Sequence, residues 1–200
     1  EMSASLVGSE MCIRDSSMPE YLVEKWKAAY GVKTTEKILE DFLTERPITV
    51  RCRTHKASLR EIVTSLKSQG VTVEQAPYLP YALKISDYNH ILTLETFLQG
   101  KILVQDVSSM LVAEAASPKK GDHIIDMCAA PGGKSIHAAD KMGDYGNVDA
   151  RDVSQYKADL IKENIHRTGV INVEARVQDA TVYDPVSYTH LRAHETSAHL

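Results

Sequence analysis

Apolar positions recur at two different spacings along the chain, and the change between them divides it. In residues 17–45 the spacing is three and four. Leu22, Trp26 and Tyr30 form one stripe, and Ile38, Leu39, Phe42 and Leu43 form another. This predicts two helices separated by Gly31, the first opened by Ser17 and Pro19, with Trp26 a core residue. Past Pro47 the texture shortens. Thr49–Thr54 is β-branched and basic and reads as a strand. Ser58 and Glu61 form a capping box for a helix running to about Gln69, with Leu59, Ile62, Val63 and Leu66 on one face and Gly70 at its end. Val71–Gln75, Ala82–Ile85 and Ile91–Leu94 read as short strands, so Pro47–Gly100 is expected to be a small α+β module.

From Lys101 strands alternate with helices. Ile102–Val104 is a strand, and a helix starting at Ser108 or Ser109 carries Met110, Leu111, Val112 and Ala115. His123–Met127 is an apolar strand, followed by a glycine-rich turn at Ala129–Gly133 and a helix from Lys134 to Met142. Asn147–Ala150 and Val173–Val177 are further strands. Between them lies a helix from Ser154 to Thr168 that stops at Gly169. Such alternation predicts an α/β fold with a parallel, doubly wound sheet.

Composition adds little to the fold and more to the setting. The chain has 200 residues, 43% of them hydrophobic and 25% charged, which excludes collagen-like, coiled-coil and wholly disordered classes. No apolar run is long enough to span a membrane. Cys12, Cys52 and Cys128 are too few and too scattered for a disulfide framework, and suit a reducing, cytoplasmic setting. A net charge of −4 argues against a uniformly basic polyanion binder. Locally the balance reverses. Residues 46–67 hold Arg46, Arg51, Arg53, Lys56, Arg60 and Lys67 against the single acid Glu61. Charge alone leaves two readings open, a phosphate-binding patch or a solvated face.

The ends differ in character from the middle. Residues 1–16 and 186–200 resemble translated sequencing-adapter DNA, and the native segment is expected to be Ser17–Pro185. In that division, 17–46 is a helical lead, 47–100 the α+β module and 101–185 a truncated α/β domain. His190 and His194 lie four apart, but no carboxylate pattern accompanies them, so no metal site is expected.

The stretch that carries chemistry is Asp126-Met127-Cys128-Ala129-Ala130-Pro131-Gly132-Gly133-Lys134-Ser135. A strand ends, small residues allow close approach, and a helix begins whose free N–H groups favour an anion. Asp152 ends the next strand, where such sheets place a carboxylate for ribose hydroxyls, and Asp179 follows the third. The phosphate-loop pattern fails because Cys128 stands where its first glycine belongs, and the dinucleotide glycine pattern fails too. A nucleoside cofactor bearing a carboxylate and no phosphate fits, and S-adenosylmethionine is one.

These residues resemble the cofactor motif of the RNA cytosine-5 methyltransferases of the Nop2/NSUN/Sun family. The resemblance extends to Gln105-Asp106-Val107-Ser108-Ser109, to Ala150-Arg151-Asp152, to Gln178-Asp179-Ala180, and upstream to Ser17–Leu22 and Val50–Lys56. It is nearest the bacterial branch that methylates small-subunit ribosomal RNA. Arg53 departs from it, standing where that branch usually has asparagine. The resemblance implies a Rossmann-like methyltransferase sheet, N-terminal half only, behind a small RNA-binding module. It implies that Cys128, Ala129, Ala130, Pro131, Gly132, Gly133 and Lys134 wrap the methionine end of S-adenosyl-L-methionine. Asp152 would hold the ribose and Asp179 would sit by the adenine. Arg51, Arg53 and Lys56 would face ribosomal RNA, and the protein would be monomeric and cytoplasmic.

The family's chemistry needs a cysteine thiolate to attack C6 of cytosine and a second cysteine to help release product. Its Pro-Cys and Thr-Cys-Ser motifs are absent here, and no cysteine of this chain stands in their place. The chain is therefore expected to be a fragment, inactive alone, of an enzyme that methylates 16S ribosomal RNA. The rival readings are a non-catalytic RNA-binding module and a methyltransferase acting on another RNA or a protein.

Overall fold

A computed structural model describes residues 18–44, 46–143 and 145–182, together with the backbone of 192–193. The two tail histidines, His190 and His194, lie outside the described residues. The chain forms two compact units, Glu1–Arg46 and Pro47–Leu200.

In the first unit, α1 (Glu20–Tyr30) and α2 (Val32–Leu43) pack on each other across Gly31. Gly31 has φ +80°, a conformation that a side chain would disfavour, so the break between the helices falls there. Val23 and Leu39 are buried, whereas Tyr30 and Phe42, expected on the apolar stripes, are exposed. Trp26 stacks on Phe42 with ring centroids 6.0 Å apart.

The second unit has two sheets. The first contains β1 (Ile48–Cys52), β2 (Thr72–Gln75), β3 (Ala82–Ser86) and β4 (Ile102–Val104), in antiparallel order β2-β3-β1-β4. Helix α3 (Leu59–Ser68) covers it. Ser58 Oγ accepts from Glu61 N while the Glu61 carboxylate accepts from Ser58 N, which completes the expected capping box. Ile62 and Leu66 are fully buried against Val50, Leu83, Ile85 and Ile102.

Two features of this sheet differ from expectation. Ile91–Thr93 forms a single 3-10 turn rather than a strand, and leads into the short α4 (Glu95–Leu98). His90 Nδ1 accepts from Leu92 N, a side-chain bond that starts a turn in a segment whose composition suits a strand. Strand β4, read as the start of the α/β domain, instead pairs with β1 through Val50, Arg51 and Cys52. Its three residues are too short to show their partner by pattern.

The second sheet is parallel, as the alternation predicts. It contains β5 (His123–Asp126), β6 (Asn147–Asp152) and β7 (Val173–Val177) in order β7-β6-β5, with the two-residue β8 (Arg192–Ala193) beside β5. That short pairing involves residues set aside as foreign on sequence. Helix α5 (Val107–Ala116) precedes the sheet. Helix α6 (Gly133–Met142) joins β5 to β6, and α7 (Gln155–Thr168) joins β6 to β7. Ala139, Met142, Val148, Ala150 and Ile161 form a second core, separate from that of the first sheet.

Candidate cofactor and RNA-facing site

Asp126 ends β5 with its side chain turned back into the protein. Its Oδ1 accepts from Cys128 N at 3.3 Å and its Oδ2 from Ser135 Oγ at 2.6 Å. The carboxylate thus ties the start of the glycine turn to the first turn of α6, shaping the loop rather than lining its mouth. The turn is held from the sheet side as well, by Ala129 N donating to Arg151 O at 2.9 Å. Gly132 has φ +104°, a backbone conformation that calls for glycine, and a Cβ there would make only ordinary contact with Ile161 Cγ2 at 3.4 Å. No side chain caps α6 at Gly132. Cys128 and Pro131 are exposed, Ala130, Gly133 and Lys134 half-buried, and Ala129 and Gly132 buried.

Asp152 ends β6, 5% exposed. Its Oδ2 accepts from Ala130 N at 3.1 Å, its Oδ1 from Val153 N at 2.8 Å, and Lys157 Nζ lies 3.2 Å from Oδ1. Burial works to raise its pKa. The two backbone amides and Lys157 outweigh that and hold the group below the usual carboxylate range. Asp152 is therefore an ionised acceptor tied to the glycine loop. Gln178 N donates to Asp152 O at 2.9 Å, which sets the exit of β7 beside the end of β6. Asp179 lies two residues beyond β7, exposed, with its carboxylate bound to Thr181 N and Oγ1 at 2.8 and 2.7 Å. These bonds lower its pKa. The ends of the three parallel strands share one edge of the sheet. An uncapped helix start, a low-bulk loop and an ionised carboxylate are what a nucleoside with an amino-acid tail needs.

The expected RNA-contact arginines are placed elsewhere. Arg51 and Arg53 are 2% and 1% exposed. Arg51 Nη1 donates to Asp140 Oδ2 at 2.7 Å and Arg53 Nη2 to Asp140 Oδ1 at 2.6 Å, while Arg53 Nη1 reaches Thr168 O and Gly100 O. Arg51 lies in β1 and Arg53 one residue past its end, and both guanidiniums reach Asp140 on α6. The assignment to RNA is thus corrected for Arg51 and Arg53, whose guanidiniums join the first sheet to α6. Lys56 stays at the surface with its Nζ on Thr168 O, and Arg60 and Lys67 are exposed. Burial pushes the Asp140 pKa up, but Arg53 and Arg51 hold it below the ordinary range. A partner acid 87 and 89 residues downstream left no local signal for this network.

Beside it, Tyr81 Oη donates to Glu114 Oε1, and Lys141 Nζ donates to Glu114 Oε2 at 2.7 Å. His137, 3% exposed, sits edge-on to Tyr81. Burial, and then the charge of Arg51, depress its pKa to about 3. Burial pushes the Cys52 thiol up to about 12. Cys52 is thus no nucleophile at neutral pH.

Comparison with known proteins matches these two parts to two family models. Residues 18–91 match the ferredoxin-like domain of the RsmF/B-like methyltransferases, and residues 113–191 match the 16S rRNA methyltransferase RsmB/F model. The chain belongs to the RsmB/F family. It is 37% identical over 166 residues to a probable ribosomal RNA small subunit methyltransferase B of Bacillus subtilis, covering 83% of this chain and 37% of that protein. It is 30% identical over 158 residues to a human 28S rRNA (cytosine(4447)-C(5))-methyltransferase, covering 78% of this chain and 20% of that protein. The chain therefore spans well under half the length of these relatives. A methyltransferase homologue from Pyrococcus horikoshii superposes with a TM-score of 0.60 at 27% identity, covering 84% of this chain and 54% of that one. NSun6 from the same organism, solved with SFG, superposes at 0.65 with 23% identity over 80% of this chain and 65% of that one, and shows the shared fold.

Proposed function

We propose that this chain is the S-adenosylmethionine-binding and RNA-facing part of an enzyme that methylates C5 of a cytosine in small-subunit ribosomal RNA. The observation that carries the cofactor reading is Asp152: an ionised carboxylate at a parallel strand end, bonded to the amide of Ala130 in the glycine loop. Asp152 would accept from the ribose hydroxyls with the lone pairs its present bonds leave. The loop Cys128–Lys134 would take the methionine end at the uncapped start of α6. Asp179, exposed beyond β7, would face the adenine. When bound, the cofactor supplies an electrophilic methyl group. This chain's residues bind and orient it, and the nucleophile comes from outside the three cysteines present.

The ribosomal target is supported by the names of the relatives and by Arg60 and Lys67, exposed on α3 where a phosphate backbone can reach them. The scattered, unpaired cysteines of the described residues fit a cytoplasmic setting.

Calorimetry with S-adenosylmethionine tests the cofactor assignment. The unaltered chain should bind, and Asp152→Ala should bind roughly tenfold or more weakly through loss of charge-assisted hydrogen bonds. Equal heats from both proteins would remove Asp152 from the site. Cytosine methylation by the purified chain would overturn the assignment of the nucleophile.

A further inference from the structure

Gln105 stands between the two halves of the second unit, at the junction of β4 and α5. It is 6% exposed, and its Oε1 accepts from Arg51 Nε at 2.8 Å. Because an Arg Nε–H can only donate, that bond fixes the amide's orientation: the oxygen faces Arg51 and the NH2 group faces away from it. The same side chain lies under the first residue of α6. A Cβ built on Gly133 would be 3.8 Å from Gln105 Cδ and 4.0 Å from its Oε1, in ordinary contact. The Nε2 donor is buried and has no partner among the described residues.

A buried amide NH2 without an acceptor forfeits its hydration with nothing in return, and such groups in folded proteins have a reason. Three facts coincide here: the helix start has no side-chain cap, the amide is clamped at its oxygen, and the side chain that packs beside that start carries an unsatisfied donor. The acceptor this arrangement lacks is an anion arriving at the first turn of α6.

We propose that Gln105 is a cofactor-orienting residue that donates from Nε2 to the carboxylate of the amino-acid end of S-adenosylmethionine. This rests on the cofactor reading above and extends it to a residue outside the glycine loop. The low local dielectric makes the bond to a carboxylate stronger than the same bond in water. Arg51 gives it direction. A consequence is that the first sheet, through Arg51, takes part in selecting the cofactor's tail, while Asp152 serves the nucleoside.

The discriminating ligands are S-adenosylmethionine and its decarboxylated form, which keeps the nucleoside, sulfonium and amine and lacks only the carboxylate. Calorimetry is run on the unaltered chain, Gln105→Leu and Gln105→Glu, with thermal melts to establish folding. Gln105→Glu retains the acceptor for Arg51 and removes the donor, so it keeps the junction while abolishing the proposed bond. The unaltered chain should prefer S-adenosylmethionine. Both variants should lose roughly tenfold of that affinity while binding of the decarboxylated ligand stays within about twofold, the scale of one charge-assisted hydrogen bond. Equal weakening of both ligands, or of neither, would overturn the proposal and leave Asp152 and the glycine loop as the site. If the unaltered chain binds neither ligand, the cofactor reading falls and this inference with it. That outcome is distinguished by the unaltered protein alone.

Discussion

The two ends of helix α6 treat charge in opposite ways. At its start, Gly132 and Gly133 carry no side chain, Asp126 is turned inward onto Ser135, and the other polar groups nearby are backbone amides, Lys134, the buried Gln105 and the carboxylate of Asp152. Near its other end, Asp140 holds two buried arginines, and Lys141 is bound to Glu114. The first end has polar capacity facing a ligand; the second has formal charges matched within the chain. The difference shows why counting basic residues misleads. Formal charge is concentrated where the fold is joined, and the candidate binding edge is built mainly of backbone.

The largest expected break in this contrast is Asp140→Ala. It leaves Arg51 and Arg53 buried without their anion, which should cost about 3–5 kcal/mol in urea unfolding. A loss under 1 kcal/mol would mean that water reaches the guanidiniums and the junction is open. Next is acid. His137 has a folded pKa of about 3 against an ordinary 6.5, so the unfolded chain binds the extra proton between those values. Stability should therefore fall as pH drops from about 6.5 to 3, by at most about 1.4 kcal/mol per pH unit. Asp140, whose folded pKa is lowered below 3.8, contributes stability above that value that is lost as pH falls through its folded pKa. His137→Gln should flatten the upper part of that slope in melts at stepped pH, and an unchanged slope would assign it to other groups.

At the opposite end of α6, Gly132→Ala forces a side chain into φ +104° and should cost about 1–3 kcal/mol. Because the strain falls within the loop, affinity for S-adenosylmethionine should drop with it, whereas Asp140→Ala at a temperature where it remains folded should bind nearly normally. Smallest is the surface effect. Arg60→Ala and Lys67→Ala should each weaken RNA binding several-fold at low salt and flatten the log–log salt dependence by roughly one charge. If neither changes RNA binding, the face carrying α3 is not the RNA-facing one.

Sequence made the repeating parts of this fold legible. The capping box at Ser58 and Glu61, the stop at Gly169 and the parallel alternation from His123 onward all depend on neighbours within a few residues. What escaped depended on distance. Strand β4 pairs with β1 across about 50 residues, and three residues cannot announce an antiparallel partner. The pair Arg51 and Arg53 was conspicuous, but its acid lies on a helix of the other module. Gln105 was visible only as part of a family segment, because a clamped, half-satisfied amide is a property of three dimensions. The turn at Ile91–Thr93 went astray because β-propensity describes packing surfaces, and there a histidine side chain supplies the bond instead.

Gly100 carries one more consequence. It has φ +63°, and a Cβ there would come within 2.5 Å of Arg167 O, while the Gly100 carbonyl accepts from Arg53 Nη1. The last turn of α7 thus lies directly on the link between α4 and β4. Arg167 adds bonds to Phe97 O and Ile102 O from the same place. The small antiparallel sheet is consequently not a portable cassette. Transplanted between distant relatives, it would need Asp140 and the α7 terminus to travel with it, so the two modules are expected to have diverged in step rather than by exchange.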